Sequence, residues 1–206
     1  MEFANNIIKL IANNNSIEKW IKDYIDERAT HIASLFGIND FPEDFKICIH
    51  FLKSADFIKL AEKYGFLSKI ANCYAISIDA IYIIEYTDIS KKESKENYCK
   101  IILHEYIHIL QHISTSLLPS KAVWLYESIA CYLSGQETPP PTSIPSWSLF
   151  ESDFYSINDC YSIAYIFGKL FIDTVGIDTL IKYKDKLIEI KNIGKMIYSR
   201  LQEELY

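Results

Sequence analysis

Residues 94–114 read SKENYCKIILHEYIHILQHIS, and the other segments take their places around them. Apolar residues recur through this stretch at three- and four-residue spacing, the period of a helix that buries one stripe. Inside it stands His104-Glu105-Tyr106-Ile107-His108, the pattern HExxH. Two histidines four apart lie on one helical face, about 6 Å apart along the axis, so both imidazoles can converge on one metal ion. Zinc suits that geometry, and Glu105 projects beside the same site, where a carboxylate can hold and deprotonate a water. A catalytic zinc takes three protein ligands and keeps a fourth position open. Eighteen residues separate His108 from Glu127, which falls in a second helical pattern from about Ser120 to Leu133. A helix-turn-helix return can bring its carboxylate back to the metal, completing an HExxH-x18-E set of His104, His108 and Glu127.

The remaining histidines are read differently. His112 continues the face of His104 and His108, but i to i+8 spans about 12 Å along a helix, too far for one zinc to hold all three. The alternative HExxHxxGxxH arrangement fails because Gln111 and Ser114 stand where it needs other residues. His31 and His50 have no local partner in the sequence. Cys131, four residues after Glu127, is read as a small buried hydrophobe, with a thiolate switch at the metal as the lesser alternative.

Upstream, residues Asn5 to about Gly37 place apolar side chains at helical spacing, broken by Asn13-Asn14-Asn15-Ser16, and predict one long or two short helices. Phe45 to Phe51 alternates with the β-branched and aromatic content of a strand. Ser54-Ala55-Asp56 starts a short helix that runs to Tyr64 and stops at Gly65. Tyr74–Ile78 and Ala80–Tyr86 form a hairpin or one bent strand around Asp79. Downstream, Gly135 to Pro145 holds four of the six prolines and is a loop. Helical spacing resumes from about Asn158 to Val175, and one or two further helices follow from Asp178.

The sequences HEYIH and WLYESIA together resemble the gluzincin zinc metallopeptidases, in the peptidase MA-like clan that includes zinc aminopeptidases. Trp124, Leu125, Glu127 and Ala130 match the W-L-x-E-G-x-A pattern of that family's third-ligand helix, while Ser128 stands where glycine is common. The resemblance reaches from about residue 45 to 185 and implies an α+β, zincin-like (thermolysin-like) domain. In such a domain a small, mainly antiparallel sheet packs on the HExxH helix, a helical subdomain carries the third ligand, and the active site lies between them. It further implies that the edge of the sheet binds extended substrate. Tyr161 is similar to the tyrosine that stabilises the oxyanion in the aminopeptidase relatives, with Tyr165 as its competitor. The GxMEN segment with which those aminopeptidases capture a free N-terminus has no counterpart in Ala71–Ile84, so aminopeptidase activity is not supported. Cys131 also stands where some gluzincins place an aspartate.

Composition agrees with one globular domain over 1–206, divided into N-terminal helices (1–44), sheet and HExxH helix (45–115) and helical subdomain (116–206). Half of the 206 residues are hydrophobic and 23% are charged, enough to build a core. Twenty-one basic against 27 acidic residues give a net charge of -6 with no basic block, which argues against a nucleic-acid partner. No apolar run approaches the roughly 18 residues that span a bilayer, and no secretory signal is read at the N-terminus. A cytoplasmic location is expected, with the five scattered cysteines reduced. The expectation is therefore a peptidase with one zinc per chain acting on a peptide or protein. The alternatives are an inactive zinc-binding module that works through protein partners, and a hydrolase of non-peptide amides.

Overall fold

The computed structural model describes residues 8–12, 19–39, 41, 45–65, 72–77, 79–114, 122–182 and 186–204. The expectations that fall on Asn5 to Ile7, Asn13 to Ser16, Asp40, Pro42, Ile78 and Ser120 lie outside the described residues. The chain forms two compact units, Met1–Ile109 and Leu110–Tyr206. The fold class is α+β, mostly helical with one small sheet.

The first unit contains β1 (Ile8–Ala12), α1 (Lys19–Leu35), β2 (Ile47–Leu52), α2 (Ser54–Lys63), β3 (Cys73–Ser77), β4 (Ala80–Ile84), α3 (Tyr86–Ile89) and most of α4 (Lys95–Ser114). The strands lie in the order β1-β2-β4-β3. The sheet is mixed and not mainly antiparallel, because β1 pairs parallel with β2 and β2 parallel with β4, leaving only the β3/β4 hairpin antiparallel. The reason is connectivity: α1 follows β1, and α2 with β3 follows β2, so each chain segment has crossed over before it returns to the sheet. The helix expected from Asn5 is also corrected. Ile8–Ala12 is a strand, since a short apolar run carries no periodicity that separates strand from helix and pairing with β2 decides it.

Burial follows the strand period. Ile47, Ile49 and Phe51 of β2 are buried while Cys48, His50 and Leu52 are half-buried. Central β4 buries Ala80, Ile81, Ile83 and Ile84. Helix α1 buries Ile21, Ile25, Ala29, Ile32 and Ala33, the stripe that its spacing predicts. Helix α2 begins at Ser54 as expected, and its orphan donors are satisfied from outside: the Ser54 amide and hydroxyl both donate to Asp88 Oδ2, at 2.9 and 3.1 Å. Its other end turns at Gly65, whose φ of +73° favours glycine.

The second unit is helical: α5 (Val123–Ser134), α6 (Trp147–Ser152), a 3-10 turn (Phe154–Ser156), α7 (Cys160–Val175), α8 (Asp178–Lys182) and α9 (Leu187–Glu204). Helix α5 is buried continuously from Trp124 to Cys131. It ends at Gly135, where φ is +72° and the amides of Gly135 and Gln136 donate to the carbonyls of Tyr132 and Cys131. Gly168 lets α7 approach it closely, because a Cβ there would lie 2.0 Å from the Ser128 carbonyl oxygen. Around Trp124 the rings of Trp147, Phe150 and Phe167 close an aromatic core, with centroids 4.9 to 6.3 Å away.

The expected proline-rich loop is present from Gln136 to Ser146. It is tied at two points. Thr142 donates through its amide and hydroxyl to Asp159, and the Pro145 carbonyl accepts from Tyr198 and Gln202 of α9. Helix α6 and the 3-10 turn were not expected from the sequence. No helix among the described residues is long and apolar enough to cross a membrane.

Candidate metal centre

Helix α4 begins at a capped end, with the Ser94 hydroxyl accepting from the Asn97 amide at 3.0 Å. Its buried side chains include Tyr98, Cys99, Ile102, Leu103, Tyr106 and Ile107. Two phenols anchor it within the first unit: Tyr98 donates to the Ile84 carbonyl of β4 at 2.8 Å, and Tyr106 to the Ala29 carbonyl of α1 at 3.3 Å. The helix is thereby held against the sheet, and the HExxH residues take their positions from it.

His104 and His108 bring their Nε2 atoms to 3.0 Å, with the rings nearly perpendicular at 86°. Two ligands on a tetrahedral zinc with bonds of about 2.0–2.1 Å sit roughly 3.3 Å apart, and the 3.0 Å seen here, a hydrogen-bond distance between the two rings, needs only a small opening to reach it. Glu127 is the third candidate donor. One nitrogen from each histidine and one carboxylate oxygen from Glu127 all lie within 4.8 Å of one another. Among the described residues this is the one such group of three. His104 and Glu127 are buried and His108 is partly so, and a buried carboxylate is stabilised by pairing or by metal coordination. Two imidazoles with a carboxylate are a donor set that zinc accepts, and the residues fit the ion on chemistry and spacing.

Glu105 faces the sheet. Its Oε2 accepts from the Ala75 amide of β3 at 2.8 Å, and β3 is an edge strand. Burial raises the neighbouring Cys73 thiol well above its ordinary pKa, and the Glu105 charge adds to the rise. Tyr74 is raised by the same two causes, burial first.

In the second unit, the Tyr155 hydroxyl donates to Glu127 Oε1 at 2.8 Å. Tyr155 escaped the sequence reading, because it sits on a three-residue 3-10 turn that leaves no periodic signal. Tyr161 lies at the start of α7, 39% exposed, with its ring 6.1 Å from that of Phe154. Tyr165, its competitor, packs edge-on against Tyr132. Cys131 is buried, and burial, reinforced by Glu127 and Cys160, holds its thiol well above the ordinary value. This environment suits a small core residue better than a thiolate ligand.

The other histidines lie outside the cluster. His112 and His31 are exposed. His50 stacks on Tyr82, with ring centroids 4.5 Å apart, and burial lowers its pKa. When the chain is compared with known protein families, with curated proteins and with solved structures, none matches.

Proposed function

We propose that this protein is a zinc-dependent peptidase of the gluzincin type, hydrolysing peptide bonds with Glu105 as general base. The observation that carries the reading is the gathering of His104, His108 and Glu127 donor atoms within 4.8 Å, the two histidines standing on the helix that also carries Glu105. His104, His108 and Glu127 would hold the ion. Zinc bound there would supply a Lewis acid that brings the pKa of water down to about 7.

Glu105 receives a proton from the attacking water on a carboxylate oxygen while the new C–O bond forms. It returns that proton to the amide nitrogen as the C–N bond breaks, so that acid and amine leave in balance. The Ala75 amide, bonded to Glu105 Oε2, orients this carboxylate against the sheet edge and restrains its rotation. Tyr161 is assigned the hydrogen bond to the negative charge that develops on the former carbonyl oxygen. A peptide or protein is the substrate class, and a cytoplasmic setting belongs to the same proposal. An inactive zinc-binding module has no use for a general base, and the retained Glu105 favours the enzyme over it.

The test is metal content after dialysis against metal-free buffer, together with turnover on a peptide library. Wild type should hold about one zinc per chain, and Glu127→Ala should lose it. Glu105→Gln should keep the metal and lose turnover by roughly 10²–10⁴-fold. Undiminished turnover in Glu105→Gln overturns the assigned base, and a wild type that never takes up zinc overturns the centre itself.

A further inference from the structure

Glu127 carries an interaction that a metal-ligating role alone does not require. The Tyr155 hydroxyl donates to Oε1 of this buried carboxylate at 2.8 Å, although Tyr155 itself is 60% exposed. The turn that presents it is built for rigidity. Phe154, the preceding residue, is 3% exposed and packs edge-on against Phe150 and Tyr155, with centroids 5.7 and 5.2 Å away. The backbone is closed on both sides by Asp153 N to Leu149 O at 2.9 Å and Ile157 N to Phe154 O at 3.2 Å, and the Ser156 hydroxyl adds a bond to the Asp153 carbonyl at 2.8 Å. Phe154 thus anchors in the core while its neighbour reaches out to the carboxylate.

Resting on the zinc reading above, we propose that Tyr155 is a positioning residue that makes Glu127 a one-oxygen ligand. A carboxylate can meet a metal through one oxygen or both. A phenol donating to Oε1 draws charge from that oxygen and fixes the plane of the group, which leaves Oε2 as the stronger donor. This restraint suits a hydrolytic zinc centre, since a carboxylate gripping with both oxygens would add a fifth ligand and crowd the position that water must take. Tyr155 acts through Glu127 and touches neither substrate nor reacting atoms in this role.

Tyr155→Phe removes one hydroxyl from an exposed side chain and keeps the ring, so the protein still folds, with the apo thermal transition lowered only by the lost hydrogen bond to Glu127. Two readouts independent of turnover test the proposal. In competition with a chromophoric chelator, the variant should bind zinc about 10-fold to 100-fold more weakly, as outer partners of metal ligands typically do when removed. In the cobalt-substituted protein, the visible ligand-field bands should be those of a four-coordinate ion in wild type and should weaken toward those of a five-coordinate ion in Tyr155→Phe. Equal zinc affinity and identical cobalt spectra in the two proteins overturn the positioning role while leaving the metal centre standing. A wild type that binds neither metal overturns the zinc reading on which it rests.

Discussion

In the sheet-containing unit, α4 adds to its buried apolar face a set of polar pins: Tyr98 to the Ile84 carbonyl, Tyr106 to the Ala29 carbonyl and Glu105 to the Ala75 amide. In the helical unit, α5 is held mainly by surface contact, with Gly168 against the Ser128 backbone and Trp124 enclosed by aromatic rings and Gly194. A neutral hydrogen bond contributes about 1 kcal/mol net, so the first kind of support is divided among many small terms. Close packing concentrates its stabilisation where two rigid surfaces meet, and one atom there can undo it. His104 and His108 on α4 are therefore expected to tolerate the loss of a single polar support better than Glu127 on α5 tolerates a change at its packed surface.

The sharpest way to break this contrast is Gly168→Ala. Its new Cβ would fall 2.0 Å from a backbone oxygen that no rotamer change can move. We predict a loss of about 3 kcal/mol, measured by denaturant unfolding. A loss under about 1 kcal/mol would show that α5 and α7 can separate cheaply. Gly194→Ala is the next step down, because its Cβ meets the Trp124 ring at 2.4 Å, and a ring can shift where a backbone cannot. The clash is partly offset by the better helix propensity of alanine, and about 1–2 kcal/mol should be lost. Stabilisation instead of loss would mean that the aromatic core has room to spare.

The smallest effect belongs to the polar half and carries a pH signature. The Ser54 amide, then its hydroxyl and Lys53, hold the Asp88 carboxyl below its ordinary value of 3.8. A carboxylate whose folded pKa is depressed adds stability that is complete above its unfolded value and is lost as pH falls through the folded one. Asp88→Ala should cost about 0.5–1 kcal/mol at pH 7, and the gap to wild type should close as the pH drops below about 4. A gap that does not change with pH would place the effect in packing and blur the contrast between the two halves. Gly168→Ala should show no such titration.

The parts of the centre that one helix dictates were readable directly. His104, Glu105 and His108 owe their arrangement to the helical repeat alone, and the apolar stripe around them marks the helix without ambiguity. Glu127 was reached through its spacing and its WLYES context, which the structure places beside the histidines. Tyr155 was not legible, because only the fold of α6 and the following turn brings it to Glu127. The strands were legible in place but not in direction. Alternation in β2 looks the same whether its neighbour is parallel or antiparallel, and crossovers decide which. Ile8–Ala12 was misread as helix because five residues are too few to display a period.

Strand β1 has a consequence for solubility. By pairing with β2 it turns that strand, with its alternating buried Ile47, Ile49 and Phe51, from an edge into an interior strand. An uncovered apolar strand edge is a template for joining another chain. The edge on that side therefore passes from β2 to the five residues of β1, and a chain beginning after Ala12 would return it to β2.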